Sequence, residues 1–165
     1  MDSFPVILKH YQAYLLLERG LSENTRQAYT ADVERFAAWL GSEVRPAEVS
    51  REHLENFIYE LHDAGIAPRS QARIISGLKS FFRFLTIDNV RPDDPMALFE
   101  APAIGRHLPE VLTIDEIDAM VAACDHDDPL GWRNRAIIET LYGSGLRVSE
   151  LCTLERRRVF LDEGF

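Results

Sequence analysis

The chain has 165 residues, with 18 Lys and Arg against 27 Asp and Glu, a formal net charge of −9 and 46% hydrophobic residues. This is an ordinary globular composition, which excludes a disordered or collagen-like chain. Taken as a whole, the acidic balance also argues against a nucleic-acid binder, because such proteins usually present a basic surface.

Almost every segment reads as helix. Phe4, Ile7, Leu8, Tyr11, Tyr14 and Leu15 recur at spacings of three and four, and the pattern ends near Gly20. Ser22 is the expected N-cap of a second helix, with Thr25, Tyr29, Val33, Phe36 and Leu40 on one face and Gly41 as its stop. A third helix follows Ser50, carries Leu54, Phe57, Ile58 and Leu61 inward, and ends before Gly65. Pro68 suits the first turn of a fourth and longest helix, whose apolar stripe is Ile74, Ile75, Leu78, Phe81, Phe82 and Leu85. Four such helices make a bundle with its own core.

From Asp88 to Leu112 the periodicity breaks at Pro92, Pro95, Pro102, Gly105 and Pro109, which reads as an extended linker between two domains. The second unit opens on Thr113-Ile114-Asp115-Glu116, a capping box, with Ile117, Met120 and Val121 as its apolar face. Trp132 to Tyr142 forms another helix, Gly143-Ser144-Gly145 interrupts it, and Leu146 to Leu154 begins again. Val159-Phe160-Leu161 is a possible short strand before the turn-like Asp162-Glu163-Gly164, so the chain is expected to stop inside its second domain.

Charge is unevenly placed. Residues 1–87 carry ten bases and eleven acids, residues 88–128 two and eleven, and residues 129–165 six and five. The middle stretch therefore accounts for the whole imbalance. Within 66–87 stand Arg69, Arg73, Lys79 and Arg83 and no acid, largely off the apolar stripe. A local field of this kind governs an approaching phosphate more than distant acids, because salt screens charges beyond about 10 Å. Such a run is also common on an ordinary solvated helix face.

Arg147 is the sharpest candidate for chemistry. It follows the turn at Gly143–Leu146 and starts a helix that Glu150 and Leu151 continue, beside free backbone N–H groups suited to a phosphate. Its rigid donor fork fits two phosphate oxygens and charge developing in a transition state. The plainer alternative is an ion pair with Glu150, which would otherwise hold Arg147 in place. Cys124 and Cys152 form no metal-spaced cluster and no disulfide framework, which favours a reducing compartment. The N-terminal residues do not resemble a secretory leader, and no apolar stretch approaches the ~20 residues of a membrane helix.

Leu141-Tyr-Gly-Ser-Gly-Leu-Arg-Val-Ser-Glu-Leu151 resembles the first catalytic-arginine motif of the tyrosine site-specific recombinases, the phage integrase family. The likeness is especially close to the bacterial chromosome-dimer-resolving recombinases of the Xer type. Leu21, Ser22, Asn24, Thr25 and Tyr29, with Asp32, Phe36 and Leu40, resemble the second helix of the family's core-binding domain, and Pro68–Leu85 its fourth. Asp94-Pro95, Leu108-Pro109 and Val111-Leu112-Thr113 are similar to its interdomain segment. Gly131-Trp-Arg-Asn-Arg-Ala136 is similar to its Arg-Asp-Arg/Lys-Ala stretch, with Asn134 where Asp is usual.

The resemblance implies a mainly α chain. It implies a four-helix SAM-like core-binding domain over 1–90, a linker over 91–112, and the helical start of a mixed α/β catalytic domain over 113–165. It implies a tyrosine that attacks the scissile phosphate and forms a 3′-phosphotyrosyl link, without metal or cofactor. Arg147 matches the arginine that binds the non-bridging oxygens, and Glu150 the buried acid one turn later. Ser22, Thr25, Arg26, Arg69, Arg73, Lys79 and Arg83 become candidate DNA contacts. The implied partners are double-stranded DNA and homologous or paralogous subunits in a tetrameric synapse of the full-length protein, with no membrane, in the cytoplasm.

The family's remaining catalytic residues have no match. None of His10, His53, His62, His107 and His126 begins a His-x-x-Arg, and Tyr11, Tyr14, Tyr29, Tyr59 and Tyr142 read as helix packing. Ala103 and Glu110 stand where the family often has lysine, and Arg156-Arg157-Arg158 is a basic run of its own. The chain is therefore expected to bind DNA without cleaving it, for dimer resolution or element integration. A small non-catalytic helical DNA-binding or protein-interaction module is the alternative.

Overall fold

The computed structural model describes residues 3–100, 102, 105, 109–125 and 127–159. The chain divides into two compact units, Met1–Arg106 and His107–Phe165. The described residues contain helices and turns and no strand. Phe160 and Leu161 of the expected strand, and the Asp162–Gly164 turn, lie outside the described residues, as do Ala103 and Leu108 of the linker.

The first unit holds α1 (Phe4–Leu17), α2 (Glu23–Leu40), α3 (Arg51–Asp63) and α4 (Pro68–Ile87). Gly20, Gly41 and Gly65 all take positive φ where α1, α2 and α3 stop, a conformation that costs glycine least. Ser22 caps α2 through Oγ, and Ser50 caps α3 while the His53 ring accepts from the Ser50 N–H. The four apolar stripes meet in one core, with Tyr11, Leu15, Phe36, Leu54, Leu78, Phe81, Phe82 and Leu85 fully buried. Phe36 stands edge-on to Phe57 and Phe82 at 5.1 and 6.2 Å, which ties α2, α3 and α4 together.

Residues 91–99, expected as the start of the linker, pack on this bundle. Met96 is fully buried, and the Arg91 side chain is 5% exposed. The Arg91 guanidinium donates to the Val49 carbonyl at 3.1 Å and to both Asp93 oxygens at 3.2 Å, and lies 5.5 Å over the Phe82 ring. Proline spacing marked this stretch as irregular. It did not reveal that an arginine and a methionine anchor it.

The second unit holds α5 (Ile114–Ala122), α6 (Gly131–Ser144) and α7 (Val148–Cys152), followed by a 3-10 turn at Arg156–Arg158. The Thr113–Glu116 capping box forms as expected, with Thr113 N–H donating to Glu116 at 2.8 Å. Those bonds to Thr113 hold the Glu116 carboxyl below its ordinary range. The break after α6 falls later than the glycine spacing suggested. Gly143 and Ser144 stay helical and Gly145 alone turns left-handed, because its N–H closes the helix on the Leu141 carbonyl. Among the described residues of this unit only Gly131 is buried, while Trp132, Tyr142, Val148 and Leu154 are exposed.

Candidate nucleic-acid interface

On α4, Arg69, Arg73 and Arg83 fall within an arc of about 80° and are separated by up to about 21 Å along the axis. All three are exposed, whereas Lys79 sits half-buried at the flank. No acidic residue lies on this helix. Its first turn starts at Pro68 with no side-chain cap, which leaves the positive end of the helix dipole beside Arg69.

The α2 helix supports this face from the side. Arg73 meets Ala28 and Asp32, Gly77 meets Asp32, and Phe82 meets Phe36, so α2 and α4 run in the same direction. The N-terminal residues of α2 therefore share an end with Arg69. There, Ser22 Oγ accepts from the Thr25 N–H and lies 3.0 Å from Thr25 Oγ1. Arg26 is not a free cation, since its guanidinium is engaged by Glu23 one turn back. Its Nε is buried without a hydrogen-bond partner.

Arg73 also has a role that charge counting missed. Its Nη1 donates to Asp32 Oδ2 at 2.6 Å, and the Asp32 side chain is only 3% exposed. Burial raises the Asp32 carboxyl above its ordinary range, against the opposing pull of Arg73 and Arg35. The sequence held a signal for this pair. Asp32 lies on the apolar line of α2 between Tyr29 and Phe36, and Gly77 interrupts the apolar line of α4 between Ile74 and Phe81.

In the second unit Arg147 is the N-cap of α7, and its side chain is 82% exposed. Its N–H donates to Glu150 Oε2 at 2.7 Å and its Nη1 to Oε1 at 3.0 Å. The plainer sequence alternative, an ion pair one turn apart, is thus present. Glu150 is exposed in this structure, with its side chain against the Arg147 guanidinium. The Arg156–Arg158 run is exposed, with Glu155 paired to both Arg157 and Arg158. Among the tyrosines, Tyr11 and Tyr14 belong to the core, and burial raises the Tyr11 phenol. Tyr59 and Tyr142 are exposed, which corrects their reading as packing residues. Among the described residues no helix is long and apolar enough to cross a membrane. No cluster of His, Cys, Asp or Glu among them is arranged to hold a metal ion.

Two family models match the chain, the phage integrase N-terminal SAM-like domain over residues 8–89 and the phage integrase family over residues 110–165. The tyrosine recombinase XerD of Pseudomonas aeruginosa is 40% identical over 151 residues, covering 91% of this chain and 51% of that protein. The XerD protein of Chlorobaculum tepidum is 38% identical over 162 residues, covering 96% and 53%. The chain thus spans about half the length of these relatives. Among solved structures, a lambda integrase dimer bound to a COC′ core site superposes with a TM-score of 0.72 at 20% identity, covering 96% of this chain and 43% of that one. The Tn1549 transposon integrase in complex with a circular intermediate DNA gives 0.69 at 17% identity, covering 98% and 51%. At these identities the two structures establish the fold. The helical bundle, the arginine motif at the start of α7 and the two family matches in register converge, and the chain belongs to the phage integrase family of tyrosine recombinases.

Proposed function

We propose that this chain binds double-stranded DNA as the N-terminal part of a tyrosine-type site-specific recombinase. The observation that carries the reading is the acid-free outer face of α4, where Arg69, Arg73 and Arg83 stand exposed in one line. Phosphates attract such a line through charge and counterion release, and Ser22 and Thr25 add neutral donors at the same end. Arg26 joins them on exchanging Glu23 for a phosphate, and Lys79 adds charge at the flank.

In this reading residues 1–90 are the core-binding domain, 91–112 the linker and 113–165 the start of the catalytic domain, as the matches over 8–89 and 110–165 support. Arg147 is the catalytic arginine, whose exposed fork binds the non-bridging oxygens of the scissile phosphate and stabilises the charge that builds there. Glu150 orients it through the two bonds already formed. The nucleophilic tyrosine and the other catalytic residues come from outside these 165 residues. The whole protein acts in the cytoplasm with homologous or paralogous subunits in a tetrameric synapse, in chromosome-dimer resolution or element integration.

Fluorescence anisotropy with a DNA duplex over a salt series tests the reading. A steeply salt-dependent complex is expected, weakened more than about tenfold by Arg69→Glu with Arg83→Glu. An unchanged complex, or none in the parent chain, would favour a protein-interaction module. A suicide DNA substrate is expected to trap no covalent adduct on this chain, and one adduct would overturn the assignment of the nucleophile.

A further inference from the structure

A carboxylate in the seam between two helices of an apolar bundle is an expensive placement, since taking it out of water disfavours its charge. Asp32 occupies that position, and α4 makes room for it with Gly77, where a Cβ would lie 2.8 Å from Asp32 Oδ2. The partner it holds is not another buried group. Arg73 stands on the outer face, its side chain 45% exposed. The hydrogen bonds that hold it run from Nη1, to Asp32 Oδ2 at 2.6 Å and to the Ala28 carbonyl at 3.4 Å. Among the described residues, Nε and Nη2 take no hydrogen-bond partner. A guanidinium gripped at one nitrogen keeps its other donors in a fixed plane, which is the arrangement that saves ordering entropy on meeting a phosphate.

We propose that Asp32 is a positioning residue for DNA contact, anchoring the Arg73 guanidinium by Nη1 so that its remaining donors meet a backbone phosphate. The inference rests on the reading of α4 as the DNA-facing helix. A purely structural pair would cross-link α2 and α4 and leave DNA affinity unaffected so long as the fold persists.

The test measures affinity of the 165-residue chain for a mixed-sequence DNA duplex across a salt series. Arg73→Gln is expected to weaken binding about tenfold and to flatten the log–log salt slope by about one. Asp32→Ala keeps the charge of Arg73 but removes its anchor, and is expected to weaken binding nearly as much. The double variant is expected to bind no more weakly than Arg73→Gln alone. Asp32→Asn retains an acceptor oxygen in the same place and is expected to recover most of the affinity. Losses that multiply in the double variant, or parental affinity in Asp32→Ala, overturn the proposal.

Arg73→Lys gives a second route if Asp32→Ala does not melt cooperatively. One ammonium cannot serve the carboxylate and the phosphate in a fixed plane, so this variant is expected to bind like Arg73→Gln. Parental affinity in Arg73→Lys overturns the proposal. Arg69→Gln reads the underlying interface separately. If neither it nor Arg73→Gln weakens binding, the DNA reading itself fails. If Arg69→Gln weakens binding while Asp32→Ala and Arg73→Lys do not, this inference alone fails.

Discussion

Gly77 faces Asp32 across the α2–α4 seam so closely that a methyl group there would sit 2.8 Å from the carboxylate oxygen and 3.1 Å from the Asp32 Cβ. In an ordinary helix interior, Gly→Ala is favourable by about 1 kcal/mol. Here the added carbon meets a side chain that is buried and already bonded to Arg73. Gly77→Ala is therefore expected to destabilise the first unit by about 1–3 kcal/mol, the usual cost of overpacking. Urea denaturation checks this, and a variant as stable as the parent would show that the seam yields freely.

The sign of Asp32's pH dependence follows from its environment. Burial raises its carboxyl in the folded state above the ordinary value of 3.8, so the folded chain holds the proton more tightly than the unfolded chain does. Its contribution to stability is full below that ordinary value and is lost as pH rises through the folded value. Relative to Asp32→Asn, the parent is expected to gain stability as pH is lowered from neutral towards 4. Urea midpoints of both chains across that range provide the check. A parent that loses stability relative to Asp32→Asn on acidification would mean that the Arg73 pairing outweighs burial.

Arg91 anchors the segment that follows α4. Its guanidinium bonds the Val49 carbonyl and Asp93 and covers the Phe82 ring, with almost no exposure. Arg91→Ala is expected to cost about 2–4 kcal/mol, because it opens a cavity and strips a carbonyl of its donor. Limited proteolysis gives an independent readout. The parent is expected to yield a resistant core reaching Phe99, and the variant a core shortened towards Ile87. Cleavage at the same place in both would discount the anchor.

Arg147 presents the opposite case. With its side chain 82% exposed and Glu150 as its one carboxylate partner among the described residues, Arg147→Ala is expected to change stability by less than about 1 kcal/mol. Thermal melts of the two chains check this. A large loss would mean that Arg147 is structural, and would count against its proposed contact with a phosphate.

Much of the fold was legible because it is written locally. The apolar stripes of α1 to α4, the caps at Ser22 and Thr113, the helix start after Ser50 and the stops at Gly20, Gly41 and Gly65 depend on residues within a turn or two of each other. The arginine motif was legible for the same reason, since Arg147 and Glu150 lie one turn apart. The Asp32–Arg73 pair escaped notice because its members are 41 positions apart. An acid on an apolar stripe and a glycine on the stripe it faces are informative only when taken together. Arg91 escaped because a basic residue just before a proline, in a break after a helix, looks like any exposed loop residue until its partners at Val49 and Phe82 are known.

By itself the sequence determined which residues could be helical, which face of α4 is basic, and that Arg147 would begin a helix after a glycine turn. These follow from side-chain periodicity and capping, which act over a few residues. Only the tertiary structure decided that Arg73 is held by a buried carboxylate while, among the described residues, Arg69 and Arg83 are not, and that residues 91–99 belong to the first bundle. Burial and hydrogen bonding between distant elements set the cost of each charge, and those costs exist only once the helices have packed.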